Sequence, residues 1–166
     1  GNLISFSDLE ERVSTFASNC AEKMRKQQSS CQALLVFIRS DPHKKDVISY
    51  RNSCVLTLPY ATNSSIILSR YAILGLRKIF KENIAYKKAG VMIMGLLPTE
   101  KRQLNLFENN NTKHVALMKS LDKIHKRFGP YQIKLANQDL NRTWKMKQQY
   151  LSNRFTTELK DVITVK

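Results

Sequence analysis

At 166 residues, with 28 Lys and Arg against 13 Asp and Glu, the chain carries a formal charge of +15 and a pI near 9.9. That length holds one good core or a domain of about 100 residues with an appendage, and so strong a basic surface attracts polyanions, nucleic acid first. No run of about 18 apolar residues occurs and no basic-then-apolar leader opens the chain, so membrane insertion and secretion are not indicated and a cytoplasmic location is expected.

Ser7-Asp8-Leu9-Glu10 matches a capping box, which predicts a helix starting there. Leu9, Val13, Phe16, Ala17, Cys20 and Met24 then recur at spacings of three and four and give it one apolar face. Ala33 to Arg39 reads as a largely buried strand. Residues 41–50, with Pro42, Lys44 and Lys45, read as a loop or widened hairpin turn. From Arg51 to Leu58 the alternation is clean: Cys54, Leu56 and Leu58 fall on one side, Arg51, Ser53, Val55 and Thr57 on the other. Small hydroxyls beside a base suit close approach to a phosphate backbone, although an ordinary solvated sheet face has the same pattern. A second helix is expected from Asn63 or Ser64 to about Glu82, with Ile67, Tyr71 and Leu74 apolar and Arg70, Arg77 and Lys81 on a polar stripe. A last strand, about Tyr86 to Leu97, opens on Lys87 and Lys88 and is expected to end in core, with Met92 and Met94 filling gaps there. The order helix, strand, strand, helix, strand is an α+β arrangement, a split β-α-β sheet backed by two helices and lacking most of its first strand. The chain is therefore expected to be a C-terminal piece of something longer.

Residues 98–112 are too polar to bury themselves, yet they contain Gln103-Leu104-Asn105-Leu106-Phe107. This pentapeptide resembles the one with which bacterial replication and repair proteins bind the sliding clamp, Leu106 and Phe107 filling a pocket while Gln103 bonds at its rim and Leu104 adds apolar contact. A short edge strand or helical turn on the protein's own surface is the plainer alternative. Lys113 to Phe128 reads as an amphipathic helix with Val115, Met118, Leu121, Ile124 and Phe128 apolar, stopped by Gly129-Pro130. Tyr131, Ile133 and Leu135 alternate as in a short strand. In the remaining tail Arg142, Lys145, Lys147 and Arg154 interleave with Trp144, Tyr150 and Phe155. Such a mixture stacks on bases and pairs with phosphates of single-stranded DNA, or forms a small satellite core with solvated lysines. The organisation expected is thus 1–97 as a DNA-binding domain, 98–112 as a linker with the peptide, and 113–166 as a basic helix-plus-strand tail. Residues 1–97 hold 14 bases and 7 acids and residues 98–166 hold 14 and 6, so the charge is not confined to the tail.

Cys20, Cys31 and Cys54 read as buried free thiols in a reducing compartment, and His43, His114 and His125 lack the close spacing of metal ligands; no metal site is expected. Nor do the acids form a pair suited to general acid–base or two-metal chemistry, so no catalytic residue is assigned.

Ala21-Glu22-Lys23-Met24-Arg25, Tyr86-Lys87-Lys88-Ala89-Gly90-Val91-Met92, the pentapeptide, Trp144-Lys145-Met146-Lys147 and Leu151 to Thr157 form an ordered set. Together they resemble the C-terminal region of the UmuC-type translesion DNA polymerases of the Y family, from near Gly1 to Lys166. The resemblance implies a little-finger domain that grips the template-primer duplex, with Arg51, Ser53, Thr57, Lys44, Lys45, Lys87 and Lys88 toward the DNA. It implies a role in the SOS response, with the clamp, the UmuD′ dimer and the recombinase filament as partners. It places the magnesium-binding catalytic carboxylates in a palm outside these residues. A stand-alone basic nucleic-acid-binding or regulatory protein that docks on the clamp is the alternative. An RNA-binding sheet fits less well, since strands 33–39 and 51–58 offer only Phe37 for base stacking.

Overall fold

The computed structural model describes residues 5–41, 48–99, 112–129 and 132–138, with α1 (Phe6–Lys26), β1 (Ser29–Ser40), β2 (Arg51–Thr62), α2 (Ser65–Ile79), β3 (Tyr86–Pro98) and α3 (Thr112–Phe128) in chain order. The fold is α+β, as expected, with one antiparallel sheet ordered β2-β1-β3. Helices α1 and α2 lie together on one face of that sheet, and α3 rests on the helices.

Helix α1 starts two residues earlier than the Ser7–Glu10 pattern suggests. The Ser5 hydroxyl accepts from the Asp8 amide at 3.2 Å and the Asp8 carboxylate accepts from the Ser5 amide at 3.1 Å, a capping box closed by a short acid. Starting at Ser5 brings Phe6 into the helix, where its ring meets Phe80 edge-on at 5.1 Å. The buried face is Leu9, Val13, Ala17, Ala21 and Met24; Phe16 and Cys20 are only half-buried. Small residues let α1 and α2 approach closely enough for the Ser14 and Ser69 hydroxyls to hydrogen-bond across the interface.

Strands β1 and β2 are both longer than their apolar runs. Strand β1 begins at Ser29 because β3 is long enough to pair it, Ser29 with Pro98 and Ser30 with Leu97. Strand β2 continues through Pro59, which an edge strand tolerates. The register with β1 jumps there, with Thr62 opposite Cys31 but Thr57 opposite Ala33, so the proline sits where the ladder is already interrupted.

In α2 the packing line is displaced from the one expected. Leu68, Ala72, Gly75, Leu76 and Ile79 are buried, Ile67 and Tyr71 are half-buried and Leu74 is exposed. Picking the largest apolar residues misplaces the face because closeness is what this helix needs. A Cβ on Gly75 would stand 2.5 Å from Leu56 Cδ1 and 3.0 Å from Val36 Cγ2. Strand β3 also differs: its second half is not core, since Met92 is 56 % and Leu96 52 % exposed and Met94 is exposed as well. Met92 and Met94, opposite Leu35 and Ala33, stand on the sheet face away from the helices, so the two methionines fill no core gap.

Helix α3 ends as its sequence predicts, with Gly129 at φ +95° and its amide bonded to the His125 carbonyl at 3.0 Å. Of its apolar line only Met118 is buried; Leu121 and Ile124 are half-buried, and Val115 and Phe128 are exposed. Polar contacts do much of the docking. Arg25 holds Asp122 through two 2.7 Å bonds and also donates to the Asn63 carbonyl and the Ser65 hydroxyl, joining the end of α1, the start of α2 and α3. His114 meets the Ser64 hydroxyl at 2.6 Å and His125 meets Glu22 at 3.3 Å. Ile133 and Leu135, expected on a strand, lie in a bend and in the irregular stretch that follows it. His125 Nε2 bonds the Ile133 carbonyl and Gln138 Oε1 accepts from the Leu135 amide, which occupies groups a ladder would need.

Candidate nucleic-acid interface

Three antiparallel strands with strict alternation must send every second side chain away from the helices. The register fixes which ones share each row on that outer face: Thr57, Ala33 and Met94; Val55, Leu35 and Met92; Ser53, Phe37 and Gly90; Arg51, Arg39 and Lys88. The face therefore grades along the strands, from apolar at one end to wholly cationic at the other. Arg51, Ser53, Val55 and Thr57 are all exposed, as the alternation in β2 predicts.

The cationic row is the chemically distinctive feature. Arg39 is the direct partner of both Arg51 and Lys88, so three positive charges span two strand spacings, about 10 Å. Like charges at opposed positions destabilise a sheet, and among the described residues none of the three has an acidic partner. A row of phosphates would relieve that repulsion. Arg39 was hidden in the sequence by its position at the end of an apolar run. Its parity with Leu35 and Phe37 was the available signal.

Several contacts hold this end of the sheet in register. The Ser40 amide donates to the Tyr50 carbonyl and the Tyr50 amide to the Ser40 hydroxyl, both at 2.8 Å, which clasps the strands beside the Arg39–Arg51 pair. The Tyr50 hydroxyl reaches the Ile79 carbonyl at 2.7 Å, and the rings of Tyr50, Tyr86, Phe80 and Phe6 follow one another with centroids 5.1–6.1 Å apart. In the middle row the Phe37 ring lies across Gly90, whose added Cβ would come within 2.5 Å of it.

Of the residues expected to face DNA, Arg51, Ser53, Thr57 and Lys88 come together on the outer face. Lys87 falls at the bulge where the register shifts between Arg39 and Ser40, and its ammonium is bound to Asp41 at 2.6 Å. Lys44 and Lys45, the clamp-peptide residues Gln103, Leu104, Leu106 and Phe107, and the tail residues Arg142, Trp144, Lys145, Lys147 and Arg154 lie outside the described residues. Burial, with the neighbouring Cys20, pushes the Cys31 thiol up to about 11, and burial raises Cys20 against the pull of Lys23. Cys20 and Cys54 are half-buried rather than buried. Among the described residues no three His, Cys, Asp or Glu side chains gather to hold a metal ion.

Residues 1–106 match the impB/mucB/samB family C-terminal domain, and residues 115–165 match a domain of unknown function, DUF4113. Protein UmuC of Salmonella typhimurium is 31 % identical over 163 residues, covering 97 % of this chain and 39 % of that protein. Protein MucB of Salmonella typhimurium is 34 % identical over 160 residues, covering 95 % and 38 %, and protein ImpB of Salmonella typhimurium 29 % identical over 156 residues, covering 93 % and 37 %. The chain thus spans about two fifths of the length of these relatives.

Proposed function

The chain belongs to the impB/mucB/samB family through that family's C-terminal domain, and from that premise we propose that it is the DNA-gripping, clamp-targeting region of an error-prone translesion DNA polymerase acting in the SOS response. The observation that carries this reading is the row Arg51–Arg39–Lys88 on an uncovered sheet face. Its cations sit side by side with no described acid to balance them, next to the Ser53 and Thr57 hydroxyls. Contacts of this kind go to phosphates and sugars and ignore sequence, which suits an enzyme that must follow any template.

Gln103, Leu104, Leu106 and Phe107 are the proposed clamp contacts. Tethering there raises the concentration of a weakly processive enzyme at the primer end while leaving the chemistry itself untouched. Assembly with a UmuD′ dimer, regulation by the recombinase filament and a cytoplasmic place of action belong to the same proposal. Two-magnesium catalysis would be the work of the longer polymerase's palm, while these residues grip and target.

The test is duplex binding as a function of salt. Replacing Arg39, Arg51 and Lys88 together with Ala should reduce the slope of log K against log salt by about 2–3, near 0.9 for each phosphate that is no longer neutralised. An unchanged slope would remove the sheet face from the interface. For the peptide, Leu106→Ala with Phe107→Ala should abolish clamp binding measured by calorimetry and leave duplex affinity as it was; retained clamp binding would refute that part.

A further inference from the structure

Helix α3 is a second charged surface, on the far side of the helical layer from the sheet's outer face. Its packed side is fixed by Met118, which is buried, by His114, which meets Ser64 at the cap of α2, and by Asp122 and His125, which meet Arg25 and Glu22 of α1. On the opposite side stand Lys119, Lys123, Lys126 and Arg127, at spacings that place them on one stripe, and all four are exposed. The one acid in α3 is Asp122, and both of its oxygens are taken by Arg25. The outward charge of this helix is therefore entirely positive. Among the described residues none of the four cations forms an ion pair.

Lys126 and Arg127 near the C-terminus suit the helix dipole, but Lys119 and Lys123 do not gain from it, and the pairs 119/123, 123/126 and 123/127 repel one another. Repulsion along a stripe is relieved by a polyanion. A second observation narrows which one. Phe128 closes the helix with its ring 60 % exposed and the Arg127 guanidinium 5.2 Å from the ring centroid. Cations along a track with an uncovered aromatic at its end form the combination that holds single strands, because an unpaired base has a free face to stack while a duplex hides its bases from the side.

We propose that α3 is a contact for single-stranded DNA, with the backbone running along Lys119, Lys123, Lys126 and Arg127 and a base stacked on Phe128. Eight residues of helix span about 12 Å, room for two to four phosphates of one strand. The chain then holds nucleic acid on two opposite sides: duplex on the sheet and single strand on α3. The second contact stands on its own observations and does not depend on the first.

The experiment uses the full chain and a fluorescent oligothymidylate, with a duplex of equal length as the parallel probe. Lys119→Gln, Lys123→Gln, Lys126→Gln and Arg127→Gln together keep good helix formers at each position. They should weaken single-strand binding at least about tenfold and cut its salt slope by about 1.4–2.8, at roughly 0.7 per phosphate, leaving duplex binding within about twofold. Phe128→Ala should weaken single-strand binding by about 5-fold or more with the salt slope unchanged, as expected when a stacking partner is removed. Unchanged single-strand affinity in the four-Gln variant overturns the proposal. So does an equal loss on both probes, which would mean diffuse charge rather than a site. The Arg39, Arg51 and Lys88 variant serves as the reciprocal arm: it should lose duplex and keep single strand, so failure of the sheet reading and failure of the α3 reading give different patterns.

Discussion

The sheet and α3 carry comparable charge but are held in different ways. The row Arg51–Arg39–Lys88 is mounted on three paired strands over a core that includes Leu34, Val36, Ile38, Leu56 and Leu58, all closely covered by α1 and α2. The stripe on α3 is mounted on a helix that buries one methionine and otherwise depends on Arg25–Asp122, Ser64–His114 and Glu22–His125. Apolar burial involves no titrating group and no charge for salt to screen, whereas the polar docking of α3 involves both. The same fold thus offers one permanent charged surface and one whose attachment depends on conditions.

The comparison can be broken from its rigid side first. Gly75→Val puts a branched side chain where even a Cβ meets Leu56 and Val36, so we expect a loss of about 3 kcal/mol in chemical denaturation. Helix propensity alone would make the change favourable, and a more stable variant would disprove the close approach. Asp122→Ala should cost about 2 kcal/mol, read as reduced hydrogen-exchange protection confined to α3, because Arg25 keeps the Asn63 carbonyl and Ser65 hydroxyl. Reduced protection in β1 as well would mean that α3 and the sheet are one cooperative unit.

A pH titration should separate the two surfaces more gently. Burial pushes the Glu22 carboxyl up, but the hydrogen bonds and charges of Lys26 and His125 together outweigh it and hold the group below its ordinary value. A carboxyl lowered in the folded state contributes stability that is present above the ordinary carboxylate range and is lost as pH falls through the lowered value. Protection of α3 should therefore weaken on acidification before that of β1, and Glu22→Gln should flatten the acid limb. An unchanged limb in that variant would remove Glu22 from the linkage. The smallest expected effect is Lys88→Ala alone, which should lower the duplex salt slope by about 0.9 and leave stability unaltered.

Much of the fold is legible in the residues alone. The wet face of β2 follows from alternation, and Gly129 marks the end of α3. Three departures share a cause. The α2 face, the methionines of β3 and the strand at Ile133 are each expected from the size and spacing of apolar side chains. In α2 the deciding quantity is how near two backbones come, which favours Gly75 and Ala72 over Tyr71 and Leu74. In β3 it is which sheet face the helices leave uncovered, a tertiary fact absent from local pattern. Around Ile133 side chains of His125 and Gln138 capture the backbone groups first. Arg39 becomes meaningful only when the register sets it between two other cations. The clamp peptide and the tail residues from Arg142 onward lie outside the described residues, so their roles rest on the resemblance.

Arg25 has a wider consequence than the anchoring of one helix. Its guanidinium is shared by the last turn of α1, the segment leading into α2 and the carboxylate of α3, so the Asp122 bonds can be lost while those to the Asn63 carbonyl and the Ser65 hydroxyl stay. In terms of cooperative folding units, we expect α3 to open at a lower free energy than the sheet. An open α3 would remain joined to β3 by the 13 residues 99–111, the stretch that contains the proposed clamp peptide, so its opening would release the closure entropy of that connection.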